Sequence, residues 1–324
     1  MNDKWPLLAP AAEMLESPQH VRVGVVITAH NVAPFLPAAL ESVFAQTRLP
    51  DEVVLCDDAS DDDVLSAVEP YLDRVRVIRR PVRGGEGAAK NAAVAAMSAD
   101  LVVILDGDDE MAPQRVEALV WVAERRPDLH LVTTPWEEFG PRVQSPGYSL
   151  VERFPVRDQR REILRWNFLP APAIRRRPLL EAGGFDETLN YGPDWECYVR
   201  MFLRGAAAGL VPLPLYRYRQ WGGQQTADLE RVLAGRVRVA QTITGYEGLR
   251  EDERVIAAGV LAEARFRRWA WRVREGCATR SEALSLARSA TLSARQRAAL
   301  CMAVSAPPMA RALLLHREKK ATGR

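Results

Sequence analysis

The sequence is poor in cysteine, with four cysteines in 324 residues and no CxxC pair. This scatter excludes a disulfide scaffold, and we expect Cys56 and Cys197 to be buried thiols, because they lie in an apolar run and a helical pattern. No apolar run approaches the roughly 20 residues that a membrane-spanning helix needs. The first 20 residues lack the basic start and apolar stretch of a secretory signal, so we expect a cytoplasmic protein.

Lysine is also scarce, because only four lysines are present and Lys90 is the only one of them within the predicted globular part. The positive charge is carried by arginine and is unevenly distributed. Residues 1–224 contain 25 Lys and Arg against 32 Asp and Glu, a net charge of −7, whereas residues 225–324 contain 19 against 10, a net charge of +9. With 48% hydrophobic residues the chain can bury a substantial core, which excludes a disordered protein.

Alternating strand and helix patterns fill the first part of the chain. The apolar, β-branched run at residues 21–28 has the composition of a strand buried on both faces. Further strands are predicted at residues 52–58, 74–80, 101–106 and 130–134. Helices are predicted between them at residues 34–46, 60–72, 88–97 and 113–126, with Ser60 and Asp63 as a capping box. This alternation predicts an α/β fold, a mostly parallel sheet with helices on both faces.

The alternation of strand and helix patterns ends after Pro135. Residues 135–172 mix proline, glycine, aromatics and arginine, with one short helix near 158–166. Two helical segments and a strand-like segment at 210–219 follow, and from about residue 226 the pattern is helical, with breaks near Gly276 and at 306–308. We therefore predict an N-terminal extension at residues 1–20, an α/β domain at 21–224 and a basic helical region at 225–324.

Three of the predicted strands end in polar residues. The first strand ends in Thr28, Ala29, His30 and Asn31, the second in Asp57 and Asp58, and the fourth in Asp106, Gly107, Asp108 and Asp109. Ligands bind beyond the carboxyl ends of parallel strands, and clustered carboxylates repel one another unless a cation lies between them. Their oxygens suit Mg²⁺ or Mn²⁺, and a glycine between acids would allow close approach of a ligand. The alternative, that Asp57 and Asp58 are loop or capping residues, stays open.

Five segments with these motifs, in their order and spacing, carry a family resemblance. They are residues 23–47, 53–60, 84–109, 179–201 and 214–219. Together they resemble family 2 glycosyltransferases of the GT-A fold, and the resemblance covers residues 21–224. It implies a Rossmann-like sheet sandwiched by helices and the transfer of a sugar, with inversion, from a nucleotide-diphosphate donor of the UDP, GDP or dTDP type to an acceptor hydroxyl. Mn²⁺ or Mg²⁺ is the implied cofactor.

The resemblance also assigns roles on the donor side. Residues 28–31 would line the nucleoside pocket, although an isolated His30 is more often a hydrogen-bonded structural residue. Asp58 would hold the base and Asp57 would support the strand end. Lys90 would lie near the base and phosphates, unless it is an exposed helical residue. Asp106 and Asp108 would meet the ribose and the metal, and Asp109 would be the direct metal ligand.

On the acceptor side, Asp194 matches the catalytic base of the family. Glu196 would support the site or contact the acceptor, and Trp195 would form a floor under a sugar ring or lie in the core. The sequence departs from the family pattern at Pro193, where an acid is usual, and at Trp221, near which a histidine is often found. The Gly222–Gly223 pair beside this tryptophan predicts a mobile lid over the donor.

Two other functions stay open. A nucleotidyltransferase also places acids at the ends of a parallel sheet, but it typically has a glycine-rich, basic loop after the first strand, which this sequence lacks. A non-catalytic sugar-nucleotide-binding or scaffold protein would explain Pro193. We predict a glycan, lipid-linked or small-molecule acceptor and no nucleic acid partner. The basic region 225–324 would either dock on anionic lipid at the inner face of the membrane or form a helical bundle or a homodimer.

Overall fold

The computed structural model of the protein describes residues 4–143, 150–288 and 292–305. The chain divides into two compact units, residues 1–227 and residues 228–324. The break predicted at residues 306–308 lies outside the described residues.

The first unit has ten described strands in two sheets. The strands are β1 Val23–Ala29, β2 Glu52–Asp57, β3 Arg76–Arg79, β4 Leu101–Asp106, β5 Glu110–Met111, β6 Leu131–Thr133, β7 Trp136–Phe139, β8 Ala173–Arg175, β9 Ala208–Leu210 and β10 Tyr216–Arg219. Seven of them form a sheet in the order β3-β2-β1-β4-β8-β6-β9, and the other three form a small sheet in the order β5-β10-β7.

Eight described α-helices accompany these strands. They are α1 Leu36–Phe44, α2 Val64–Val68, α3 Glu86–Ala95, α4 Arg115–Arg125, α5 Leu150–Arg153, α6 Gln159–Arg165, α7 Arg176–Glu181 and α8 Pro193–Leu203. Short 3-10 helices occupy Glu69–Tyr71 and Gln225–Ala227. The predicted capping box is wrong in detail, because Asp63 itself caps α2, with its Oδ1 accepting a hydrogen bond from the Ser66 amide at 3.1 Å.

The register of the large sheet brings the predicted polar strand ends together. β1 pairs in parallel with both β2 and β4, with Ala29 opposite Asp57 and Thr28 opposite Asp106. This confirms the predicted α/β fold with a mostly parallel sheet. The sheet is not wholly parallel, because the unpredicted β8 inserts antiparallel between β4 and β6. The segment predicted as one strand at 210–219 is two strands in different sheets, because Pro212 and Pro214 cannot donate to a continuous ladder.

The core of the first unit lies on the faces of β1 and β4. Every residue of β1 except Thr28 is buried, and Val116, Leu119 and Val120 of α4 are fully buried in the same unit. Each buried side chain of this size contributes roughly 1.5–3 kcal/mol relative to exposure. The prediction that Cys56 and Cys197 are buried thiols is confirmed. The unit therefore holds β1, β2 and β4 rigidly, and it is their ends that carry the polar residues.

The second unit is helical. Its described helices are α9 Leu229–Thr244, α10 Glu251–Glu275, α11 Arg280–Ala287 and α12 Ala294–Ser305. Ala262, Trp269, Ala283, Leu286, Leu292 and Leu300 form its core cluster. Glu230 of α9 accepts a hydrogen bond from Arg268 of α10 at 2.6 Å. In the part of the chain that the structure describes, every helix is too short or too polar to cross a membrane.

Candidate active site

The loops after β1, β2 and β4 are joined by hydrogen bonds at the carboxyl edge of the large sheet. The Gly107 amide donates to the carbonyl of Thr28 at 2.9 Å, and Nδ1 of His30 lies 3.0 Å from the carbonyl oxygen of Asp58. Asn31 adopts a left-handed conformation, with φ of 56°, and its Oδ1 accepts from the Asp61 amide at 2.8 Å. Residues 28–31 thus form one connected surface with the segments that carry the acids.

Asp57 and Asp58 both hold backbone in place. Asp58 accepts hydrogen bonds from the Gly84 and Gly85 amides at 2.9 and 2.7 Å and from the Arg80 guanidinium at 2.5 Å. Oδ1 of Asp57 accepts from the Ser60 amide at 2.9 Å. The Asp58 carboxylate therefore fixes the loop from which α3 begins.

Lys90 of α3 is a buried cation. Its side chain is 4% exposed, so the interpretation of Lys90 as an exposed helical residue is wrong. Its ammonium donates to Glu86, one helical turn earlier, and lies 3.9 Å from Oδ1 of Asp106. Burial disfavours the charged form, but the carboxylates of Glu86 and Asp106 outweigh this effect and raise the pKa of Lys90. The ammonium therefore stays charged at neutral pH between α3 and β4.

The acids after β4 differ in their surroundings. Asp109 is 1% exposed, and its Oδ2 accepts from the Tyr216 hydroxyl at 2.5 Å while its Oδ1 accepts from the Arg219 amide at 2.7 Å. Asp108 is only partly buried, and its Oδ2 accepts from the Trp221 indole nitrogen at 2.7 Å. Asp109 thus binds β10 to the loop after β4, whereas Asp108 lies nearer the surface.

These carboxyl groups share an electrostatic environment that favours protonation. Burial raises the pKa of Asp109 well above its ordinary value, and the neighbouring Asp108 and Asp106 charges act in the same direction. Burial raises the pKa of Asp106 to about 6, against the opposing effect of the Lys90 ammonium. The negative charges of Glu86 and Asp108 also raise it. Asp106 nevertheless keeps 40% of its side chain exposed. An incoming cation would relieve this repulsion.

The acids after β4 fit a divalent cation that takes only one or two of its ligands from the protein. Within the described ranges, no group of three or more His, Cys, Asp or Glu side chains forms a closed cage. Mg²⁺ and Mn²⁺ often bind through one or two carboxylates and take their other ligands from substrate phosphates and water. Asp106 and Asp108, both partly exposed, suit that arrangement. Asp109, which was predicted as the direct ligand, has both carboxylate oxygens hydrogen bonded to β10.

Packing requires a glycine at position 107. A Cβ atom on this residue would lie 2.7 Å from the carbonyl oxygen of Thr28 and 3.1 Å from side-chain atoms of Val32 and Leu36. Real Cβ atoms do not approach a backbone oxygen so closely, so any side chain here would push the loop away from β1. The glycine therefore sets the position of Asp106 and Asp108.

We expect Gly107→Ala to lower the melting temperature and weaken donor binding together. The free energy of unfolding should fall by about 1–3 kcal/mol, the usual cost of overpacking. Differential scanning fluorimetry and calorimetric titration measure the two effects. Gly259→Ala is the matched control, because a Cβ there meets open space in α10, and its melting temperature should be unchanged or slightly raised. Wild-type behaviour of Gly107→Ala would contradict the packing argument.

Asp194 lies in the first turn of α8. Gly192, with φ of 67°, precedes the helix, and Pro193 occupies its first position. Oδ2 of Asp194 accepts a hydrogen bond from Nδ2 of Asn167 at 2.8 Å. Burial and the nearby negative charge of Glu86 raise the pKa of Asp194, although the Lys90 ammonium opposes them. A carboxylate with a raised pKa is a stronger proton acceptor.

The next two residues of α8 lie elsewhere. The indole nitrogen of Trp195 donates to the carbonyl of Ile163 at 2.7 Å, and the ring is buried. Glu196 is buried and accepts from the Arg200 guanidinium at 2.5 Å. The described hydrogen bonds of these two side chains go to α6 and to Arg200, because successive residues of a helix point in different directions.

Sequence reasoning missed Glu86, Asn167 and Tyr216. Glu86 stands four residues before Lys90, a spacing that predicts an ion pair on a helix and could have indicated it. Asn167 and Tyr216 reach the site from 27 and 107 residues away along the chain, and no local pattern marks such contacts.

Comparison with known protein families and sequences gives consistent matches. The family model for Glycosyl transferase family 2 matches residues 24–184. The chain is 28% identical over 216 residues to the uncharacterized glycosyltransferase YwdF of Bacillus subtilis, a match that covers 64% of this chain and 79% of YwdF. It is 28% identical over 203 residues to the succinoglycan biosynthesis protein ExoU of Rhizobium meliloti, a match that covers 58% of this chain and 59% of ExoU.

Solved structures show the same fold. Residues 1–349 of TarS from S. aureus in complex with UDP align with a TM-score of 0.63 at 16% identity, over 94% of this chain and 92% of that one. The mannosyltransferase PcManGT from Pyrobaculum calidifontis, in complex with GDP-Man and Mn²⁺, aligns with a TM-score of 0.57 at 19% identity, over 96% of this chain and 90% of that one. At these identities the likeness concerns the fold alone.

Proposed function

Because the chain belongs to glycosyl transferase family 2, we propose that it is an inverting, metal-dependent enzyme that moves a sugar from a nucleotide-diphosphate donor to an acceptor hydroxyl. The observation that carries this proposal is the arrangement of Asp106, Lys90 and Asp194. A buried ammonium lies 3.9 Å from the Asp106 carboxylate and interacts electrostatically with Asp194. This arrangement supports a site in which charged groups would bind the diphosphate and Asp194 would accept a proton.

The donor would be held at the carboxyl edge of the large sheet. We assign the nucleoside to the loops that contain residues 28–31 and Asp58. Asp106 and Asp108 would hold Mn²⁺ or Mg²⁺, which when bound neutralises charge on the departing nucleotide diphosphate. Nucleotide complexes of two proteins with this fold, one with UDP and one with GDP-Man and Mn²⁺, support the donor class.

The acceptor hydroxyl would be activated by Asp194. Its carboxylate would take the proton as the acceptor oxygen attacks the anomeric carbon. The hydrogen bond that Asn167 donates to Oδ2 would fix the orientation of this carboxylate. The raised pKa makes this transfer more favourable than it would be for an ordinary aspartate.

Calorimetric titration with UDP-, GDP- and dTDP-sugars, with and without Mn²⁺, tests the proposal. We expect one donor to bind only in the presence of the cation and to be hydrolysed slowly to the nucleotide diphosphate. Tight binding without hydrolysis or transfer to any glycan, lipid-linked or small-molecule acceptor would favour a non-catalytic binding protein. Release of pyrophosphate from a nucleoside triphosphate would favour a nucleotidyltransferase.

The acceptor class is proposed from the chemistry of the relatives and from charge. The match to a succinoglycan biosynthesis protein supports polysaccharide synthesis as the setting. Residues 225–324 have a net charge of +9, which suits contact with an anionic membrane that presents a lipid-linked acceptor. A helical bundle that forms a homodimer is the alternative.

We expect the full chain to float with anionic vesicles at low salt and to be released at high salt, because each basic residue near such a surface adds roughly 1 kcal/mol. Neutral vesicles are the control. Charge reversal of the exposed Arg254 and Arg265 in α10 should weaken flotation without lowering the melting temperature. A dimer in sedimentation analysis that binds neither vesicle would favour the homodimer.

A further inference from the structure

The side-chain amide of Asn91 in α3 binds a backbone segment that precedes α8 in the chain. Its Nδ2 donates to the carbonyl of Phe185 at 2.8 Å, and its Oδ1 accepts from the amide of the same residue at 2.8 Å. The two residues are 94 positions apart in the sequence. Asn91 thus pairs with both backbone groups of Phe185, as a neighbouring strand would.

Two glycines make this close approach feasible. Gly184 has φ of 68°, and a Cβ on it would lie 2.6 Å from Oδ1 of Asn91. A Cβ on Gly87 of α3 would lie 2.9 Å from the carbonyl oxygen of Asp186. On each side of the contact between α3 and residues 184–187, a glycine therefore stands where a side chain would push the two segments apart.

The contact joins two functional parts of the proposed site. Asn91 follows Lys90, whose ammonium lies 3.9 Å from Asp106. Residues 188–192 connect the segment bound to Asn91 to α8, whose second residue is Asp194. The only long-range hydrogen bonds that the Asn91 side chain makes within the described residues are to this segment, and the third of them goes to Oε1 of Glu187 at 2.9 Å.

We propose that Asn91 is a positioning residue that sets the distance between Asp194 and the donor site, an inference that rests on the proposed sugar transfer. Asparagine suits this role because its amide offers a donor and an acceptor side by side, whereas aspartate offers acceptors alone. Near-attack geometry is demanding, and a misplacement of about 1 Å can cost on the order of 10²-fold in rate. Loss of the contact should therefore affect chemistry more than donor binding.

The test compares Asn91→Asp with Glu187→Ala. The first removes the donor to the Phe185 carbonyl, and the second removes only the third hydrogen bond. We expect Asn91→Asp to lower kcat by about 10- to 100-fold, with the donor Kd within about threefold of the wild type. Glu187→Ala should keep kcat within about twofold. A folded Asn91→Asp protein with wild-type kcat, or with kcat and donor affinity lost together, would overturn the proposal.

Hydrogen exchange gives a readout that does not depend on activity. In Asn91→Asp the amides of residues 184–194 should exchange at least about tenfold faster, while those of β1 keep their protection. Gly184→Ala perturbs the same contact from the other side and replaces Asn91→Asp if the latter does not fold. Unchanged exchange at residues 184–194 in either variant would overturn the proposal. If the wild type transfers no sugar, the proposed function fails, and the exchange result still decides whether Asn91 holds this segment.

Discussion

Replacement of Asp194 by asparagine is expected to lower kcat for sugar transfer by about 10²- to 10⁴-fold, the usual contribution of a general base. The donor Kd should stay within a few-fold, because the proton that Asp194 takes belongs to the acceptor. Asparagine fills nearly the same volume and can still accept from Asn167 through its carbonyl oxygen. Initial rates with saturating donor and acceptor, together with calorimetric donor affinities, measure the two quantities.

Glu196→Gln is the matched control for this prediction. Glu196 lies on the same helix but binds Arg200, so its neutralisation should lower the melting temperature and leave kcat nearly unchanged. If Asp194→Asn transfers sugar at the wild-type rate, the base lies elsewhere. Glu86 would then be the next carboxylate to replace, because it is partly exposed and its charge raises the pKa of Asp194.

Asp108→Asn should abolish the Mn²⁺-dependent part of donor binding, with a loss in affinity of at least about 10²-fold. Replacement of groups that merely orient a metal ligand costs 10- to 100-fold, and loss of a ligand carboxylate costs at least as much. The melting temperature should change little, because Asp108 is partly exposed and Trp221 is the one described side chain that donates a hydrogen bond to its carboxylate. Calorimetry with UDP or GDP, with and without Mn²⁺, and Mn²⁺ binding followed by electron paramagnetic resonance check this prediction.

Asp109→Asn distinguishes the two neighbouring acids. The family resemblance implies that Asp109 is the direct metal ligand, which predicts that its replacement abolishes metal-dependent binding and leaves the fold intact. In the structure both oxygens of Asp109 accept hydrogen bonds from β10, so the asparagine amide would face a donor. We therefore expect Asp109→Asn to lower the melting temperature as well. Full metal-dependent affinity in Asp108→Asn, with none in an equally stable Asp109→Asn, would reverse the assignment.

The sequence was most informative where hydrophobic patterning is strong. β1, β2 and β4 are mostly apolar runs, so their bounds could be predicted to within two residues and their pairing as parallel. Their ends then follow, because parallel strands align their carboxyl ends at one edge. The role of Gly107 could not be predicted, since it depends on the distance of a missing Cβ from Thr28.

Short elements and distant contacts could not be predicted. β8 has three residues, too few for a period of two to be recognised, and it pairs antiparallel with strands that precede it. Asp109 accepts hydrogen bonds from Tyr216 and Arg219, which lie 107 and 110 positions further along the chain. Propensity and spacing describe near neighbours in sequence, so they cannot reveal such partners.

The hydrogen bond between Trp221 and Asp108 has a consequence for how the enzyme is made. The two residues are 113 positions apart, so the acidic loop after β4 leaves the ribosome well before the strand and tryptophan that complete its surroundings. At roughly 5–20 residues per second, this interval lasts on the order of 6–23 s. During this interval the carboxylates of the loop, which repel one another, lack their hydrogen-bond partners from β10. The proposed donor site therefore cannot be complete until residue 221 has emerged, and the basic helices that follow it are synthesised later.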